Sequence, residues 1–340
     1  MTDSPEEVDD GDLIAQRPQS PLSPIPAPAT QNIRVATAGL RARYPVDANA
    51  DEVLLKAELI EIDDEDHDFR LADYGDRRTN FVIDASGISN EHVTQILENI
   101  KLHADQIFSV RLQRPKNLSL SGLTQFTSTV CTTGLFKYLV ELDLSYMPMP
   151  GSSLMTLCDL LNPSVSGYCP VKRLTLVRCS LMLRGVKCLM DACLQNNFLE
   201  ELTLTGNQAT DEAMPSIIKF MNFNLNRIKV LGLGDNGFTA EGVNLLSPVL
   251  ESHKYLQCLL LNGNSIGDDG ADYLLKAIRD RGLLDTLNLS NCGIKTCAWA
   301  SRLRVMTKLS TLGLGHNRID DDGLQVSERK SITLVDLYVS

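Results

Sequence analysis

Residues 262–270, Asn-Gly-Asn-Ser-Ile-Gly-Asp-Asp-Gly, set Asn262, Asn264, Asp268 and Asp269 on a glycine-rich backbone. Oxygen side chains on such a loop are the raw material of a cation or phosphate site. Each known version of that chemistry asks for more. A phosphate loop needs Gly-Lys-Ser/Thr, and an EF-hand needs a fixed ladder of acidic positions; neither occurs here. The acidic cluster Asp63, Asp64, Glu65, Asp66 and Asp68 lacks both loop glycine and regular spacing, so it reads as a solvated face. His67, His92, His103, His253 and His316 are scattered, with His92 and His253 expected on a helix or loop surface and His316 in a turn. No GxSxG or HExxH motif accompanies them. Nine cysteines appear without CxxC pairs or a secretory signal, which makes them reduced thiols serving as small apolar residues. Catalytic, metal and cofactor roles are therefore not expected.

The loop is explained by its copies. LEELTLTGNQATDEA (199–213), IKVLGLGDNGFTAEG (228–242), LDTLNLSNCGI (284–294) and LSTLGLGHNRIDDDG (309–323) repeat the pattern LxxLxLxxN or its Cys variant. Taking the middle apolar residue as a marker gives Phe81, Val110, Leu142, Leu174, Leu202, Leu231, Leu259, Leu287, Leu312 and Leu337, about ten units over residues 80–340. Seven residues beyond the marker an apolar residue returns, as at Ile88, Met149, Leu181, Ala209, Phe238, Ile266, Ile294 and Ile319. A helical face then follows: Val93, Ile96, Leu97 and Ile100; Val186, Leu189, Met190 and Cys193; Met214, Ile217, Ile218 and Met221; Ala271, Leu274, Leu275 and Ile278.

Strand, turn and helix in long repeats resemble the leucine-rich repeat proteins of the ribonuclease-inhibitor-like subclass. The resemblance implies an α/β solenoid, or horseshoe, with a parallel concave sheet and convex helices. A single unit cannot bury its apolar face, so units must stack. Asn207, Asn236, Asn264 and Asn317 are expected to turn their amides inward, with Cys179 and Cys292 in the same place as weaker donors. Gly263 and Gly267 are expected at positive φ, and Asp268 or Asp269 as a helix cap.

Alternation along the strands exposes the residues beside each marker. In the first half of the repeats these are charged and mixed; from Val230 onward they are small and almost uncharged. A partner gripping this face would use Arg111, Glu141, Asp143, Arg173 and Glu201, with Arg114 and Arg178 at the rim. The steps of 32 residues carry extra loops at 114–122 and 162–170, positions where repeats often present binding surface.

Residues 1–30 hold six of the fourteen prolines and the Ser-Pro pairs at Ser4, Ser20 and Ser23, as expected of a disordered tail open to proline-directed phosphorylation. Residues 31–79 would form an acidic flank capping the first repeat. Residues 1–79 carry 18 acidic and 8 basic side chains, and residues 80–340 carry 25 and 24, so nearly all of the net charge of −11 lies before the repeats. The repeats are too neutral to steer a basic nuclease. Aromatics at 5% and no basic patch argue against nucleic acid, and no long apolar run argues against membrane insertion. The expectation is a cytoplasmic, non-enzymatic scaffold or regulator that binds protein partners. Alternatives are an activator resembling the Ran GTPase activators, or an adaptor in a cytoskeletal, axonemal or ubiquitin-ligase complex. The sequence stops just after TLVDLYVS, where an open edge strand could pair with another copy.

Overall fold

The computed structural model describes residues 60–61, 81–84, 333–335 and 90–319, the last span interrupted at 103, 105–106, 113–117, 133, 137, 224–226, 279–283, 297–298, 300–301 and 304–307. The chain divides into two units, Met1–Arg43 with Asp66–Arg70, and the remainder, which contains every described residue. Arg114, the three Ser-Pro serines and the acidic cluster lie outside the described residues.

Strands β1 (Ile60–Glu61), β2 (Phe81–Asp84), β3 (Ile107–Arg111), β4 (Glu141–Asp143), β5 (Arg173–Thr175), β6 (Glu201–Thr203), β7 (Val230–Gly232), β8 (Cys258–Leu260), β9 (Thr286–Asn288), β10 (Thr311–Gly313) and β11 (Thr333–Val335) form one sheet in sequence order. All neighbours pair in parallel except β1, which runs antiparallel to β2. Helices alternate with them: α1 (Asn90–Leu102), α2 (Leu120–Val130), α3 (Gly151–Leu161), the short α4 (Pro163–Ser166), α5 (Met182–Ala192), α6 (Met214–Asn222), α7 (Ala240–Ser252) and α8 (Gly267–Ile278). Strand followed by helix, stacked unit on unit, is the leucine-rich repeat solenoid. Its core is a continuous apolar layer between sheet and helices, with Leu142, Leu202, Leu231, Leu259, Leu287 and Leu312 fully buried.

The ladder confirms the markers from Val110 to Leu312, each paired with the next. Both terminal markers are corrected. Val110 aligns with Ile83, not Phe81, and the ladder is irregular between Phe81 and Val82. Period-2 alternation puts Phe81 and Ile83 on one face, so composition cannot separate them. At the far end Leu312 aligns with Leu334, not Leu337. The spacing Leu334-x-x-Leu337 imitates the repeat motif, whereas the Thr-Leu step shared by β9, β10 and β11 marks the true register. Helix α6 differs too: Phe220 takes a fully buried place and Ile218 is only partly covered.

The asparagines form an internal hydrogen-bonded ladder. Asn264 Oδ1 accepts from the amides of Asn236 and Phe238 at 3.0 Å, and its Nδ2 donates to the Leu233 and Leu261 carbonyls at 3.0 and 2.8 Å. Asn207 and Asn317 repeat these bonds to the preceding unit. Cys179 and Cys292 substitute as donors, to the Leu144 and Leu261 carbonyls at 3.1 and 3.3 Å. The residue before each is left-handed in every such turn: Arg178, Gly206, Asp235, Gly263, Asn291 and His316 all have positive φ. Gly263 also lacks the Cβ that would collide with Asp235, so it serves close approach as well as conformation.

A candidate partner-binding surface on the outward strand face

The opening loop is a turn. Asp268 lies in the first turn of α8, yet its carboxylate accepts from the amides of Lys295 and Thr296 at 3.1 and 2.8 Å, in the following unit. It caps its neighbour rather than its own helix. Asp211 does the same for Thr239, and Asn90 for Ser119. His253 is likewise structural: half-buried, its Nδ1 accepts from the amides of Tyr255 and Leu256 at 3.3 and 3.1 Å. Burial lowers its pKa and favours the neutral ring that can accept these bonds.

Five of the predicted charges lie beside markers on β3 to β6, and the parallel register brings them into rows. Arg111 pairs with Asp143, Glu141 with Arg173, and Arg173 with Glu201 as ladder neighbours. Glu141 stands between two guanidinium groups, 3.6 Å from Arg111 and 3.3 Å from Arg173, and accepts from Ser109 Oγ at 3.3 Å. The Glu141 and Arg173 side chains retain 16% and 14% exposure, so they lie at the floor of the face rather than waving in solvent. Asp143 is committed elsewhere: it is buried and its Oδ1 accepts from the amide and hydroxyl of Ser145 at 3.0 and 2.6 Å. Arg111 Nε sits 3.9 Å from Asp143 Oδ2, too far to donate, and has no hydrogen-bond partner among the described residues.

Arg178 belongs to the rim. It crosses Gly206, whose missing Cβ leaves room for it, to reach Asp235 at 3.6 Å. Both side chains are well exposed, so the pair adds at most about 1 kcal/mol. Sequence reasoning missed a further pair, Glu200 and Lys229 at 2.6 Å, which flanks Glu201. They occupy equivalent positions two residues before their markers, a signal present in the repeat alignment. The inserted loop 162–170 folds into α4, capped by Asn162, and places Tyr168 edge-on to Phe198 with ring centroids 5.4 Å apart.

Burial pushes the Glu201 carboxyl above its ordinary range; Arg173 opposes this, Glu141 and Glu200 add to it, and Lys229 opposes it again. A carboxyl that holds its proton more tightly when folded loses stability as pH rises past the unfolded value of about 4.3 and through the folded one. Glu201→Gln is therefore expected to raise the melting temperature at pH 7, with the gain fading by about pH 4. Melts at both pH values check this; a loss at pH 7 would mean that pairing with Arg173 outweighs burial.

Sequence comparison with known proteins agrees with a leucine-rich repeat fold. Residues 252–275 and 305–326 match the leucine-rich repeat family. The chain is similar to NACHT, LRR and PYD domains-containing protein 3 of Bos taurus, 30% identical over 192 residues, which are 55% of this chain and 18% of that protein. Protein 13 of the same series, from Homo sapiens, is 28% identical over 56% of this chain and 18% of its own length. Ribonuclease inhibitor of Mus musculus is 26% identical over 62% of this chain and 45% of its own. The chain thus matches under a fifth of the first relatives and under half of the last. Among solved structures, the complex of Rad7 and Elc1 in yeast superposes with a TM-score of 0.43 at 14% identity, covering 75% of this chain and 73% of that one. Among the described residues no helix is long and apolar enough to cross a membrane.

Proposed function

We propose that this chain, a leucine-rich repeat protein of the ribonuclease-inhibitor-like subclass, is an intracellular scaffold or regulator that grips a protein partner with the outward face of β3 to β6. The observation that carries the proposal is Glu141 held between Arg111 and Arg173, with Arg111 Nε left without an acceptor among the described residues. A floor of alternating charge sets register and on-rate for a partner of complementary pattern. The small, nearly uncharged strand residues from β7 onward offer no comparable handle. The repeat relatives support a binding role in general, and the cytoplasmic assignment is part of the proposal. Copies could also pair through β11, which has only β10 as a neighbour among the described strands.

An activator of the Ran type would need an asparagine free to act on a GTPase. Asn207, Asn236, Asn264 and Asn317 are buried and bonded to backbone, which supports the scaffold reading over the activator.

The test is partner capture from cells by the full-length chain, followed by affinity measurement with each captured protein. Arg111→Glu/Arg173→Glu should weaken the partner at least about tenfold, the scale of one well-placed interface charge. Arg111→Gln/Arg173→Gln, which adds no repulsion around Glu141, should show a smaller loss, and Lys219→Glu on the outer surface of α6 none. Affinity unchanged from that of the unaltered chain in both double variants, with unchanged helicity, would move the interface off these strands.

A further inference from the structure

Two thiols and a thioether meet on the helix side of the solenoid. Cys158 of α3 and Cys188 of α5 bring their sulfurs to 3.7 Å, and Cys188 Sγ lies 3.9 Å from Met155 Sδ, one turn before Cys158 on α3. Met155 is 53% exposed, Cys188 half-buried and Cys158 buried, so the three step from solvent into the helix layer.

The separations have a chemical meaning. Sulfurs bound to one metal at about 2.3 Å stand about 4.0 Å apart in a trigonal arrangement and about 3.8 Å apart in a tetrahedral one. The two observed separations, 3.7 Å for Cys158–Cys188 and 3.9 Å for Cys188–Met155, are sulfur contact distances that a shared soft ion would need little movement to use. A disulfide, by contrast, would require the thiols to close to about 2.05 Å. Two thiolates alone would suit zinc as well, but zinc sites are built from thiolate, imidazole and carboxylate, whereas Cu(I) also takes the soft thioether, so the mixed set favours monovalent copper. Among the described residues no group of three His, Cys, Asp or Glu could hold a metal ion, so the thioether is needed to complete a set of three donors here.

We propose that Met155, Cys158 and Cys188 form a Cu(I) site between neighbouring repeats. On binding, two S–H bonds break and two copper–thiolate bonds form, the Met155 sulfur donates a lone pair, and two protons leave to solvent. Copper stays monovalent and the bound site carries one net negative charge, so no oxidant is needed. The other described cysteines, Cys131, Cys169, Cys179, Cys193, Cys258 and Cys292, are all buried. Cys297 lies outside the described residues and is treated as a control.

The experiment is anaerobic titration of the full-length reduced chain with Cu(I) against a chromophoric chelator, with X-ray absorption on the loaded protein. One Cu(I) per chain with three sulfur neighbours at about 2.3 Å is expected. Cys188→Ala and Cys188→Ser should each lower the affinity by more than the about 10–100-fold lost when a ligand's supporting hydrogen bond is removed. Met155→Leu should lower it by about tenfold, within that range. Cys297→Ser should leave it unchanged, and circular dichroism should show every variant folded. Absence of stoichiometric binding, binding indifferent to Cys188, or loss of the two thiols as a disulfide with no copper retained would each overturn the proposal.

Discussion

Leu259→Asp is expected to abolish the cooperative melting of the C-terminal repeats. Leu259 is fully buried at the centre of β8, paired with Leu231 on one side and Leu287 on the other. The substitution loses about 1.5–3 kcal/mol of apolar burial and forces a carboxylate into a layer without a cation. The total exceeds about 4 kcal/mol, within the range where a single change unfolds a domain. A solenoid holds each unit mainly through its neighbours, so the loss spreads to β7 and β9 before it reaches β3. Thermal melting by circular dichroism, with limited proteolysis to locate the opened units, checks the expectation. An unchanged curve would mean that Leu259 does not sit in the core register assigned to it.

Asn236→Ala is expected to destabilise the chain by at least about 3 kcal/mol, although it deletes only a carboxamide. Its Oδ1 accepts from the amides of Asn207 and Ala209 at 2.9 and 3.3 Å, and its Nδ2 donates to the carbonyls of Leu204, Leu233 and Gly234 at 2.9, 3.1 and 3.0 Å. Alanine strands two buried N–H groups, and each orphaned donor carries its own desolvation penalty. Asn236→Cys is expected to be milder than alanine, because Cys292 in the same position already bonds the Leu261 carbonyl. Chemical denaturation of the three proteins, with hydrogen exchange at Asn207 and Ala209, reads the order directly. Cysteine no better than alanine would show that the amide acceptor, not the donor, carries the position.

Cys158 shows where sequence reasoning was incomplete. Composition reads it with the other cysteines as apolar filling, and its burial agrees with that, yet its sulfur faces Cys188 from the next unit, which in turn touches Met155. A Cys at one place in a helix and another 30 residues later gives no signal by motif, because the contact exists only after two units stack. Asp268 is a similar case. An acidic residue at a helix start reads as a cap for its own helix, whereas stacking offers it better-aimed amides on Lys295 and Thr296. Alternation alone groups Asp143 with the partner-facing charges, whereas its hydrogen bonds with Ser145 commit one carboxylate oxygen to its own turn.

The sequence by itself determined the repeat, the strand residue that enters the core in the eight units from Val110 to Leu312, the buried asparagines, and the contrast between a charged and an uncharged stretch of strand face. These follow from periodicity, since a pattern that returns every 25–32 residues must return to the same environment. Tertiary structure alone decided the register of the first and last parallel strands, where the repeat pattern offers two apolar residues for one marker position and only strand pairing chooses between them. It also decided which partner each polar side chain chose. Spacing along the chain fixes which positions become neighbours across units; where their atoms point depends on rotamers and turns that exist only once both units are in place.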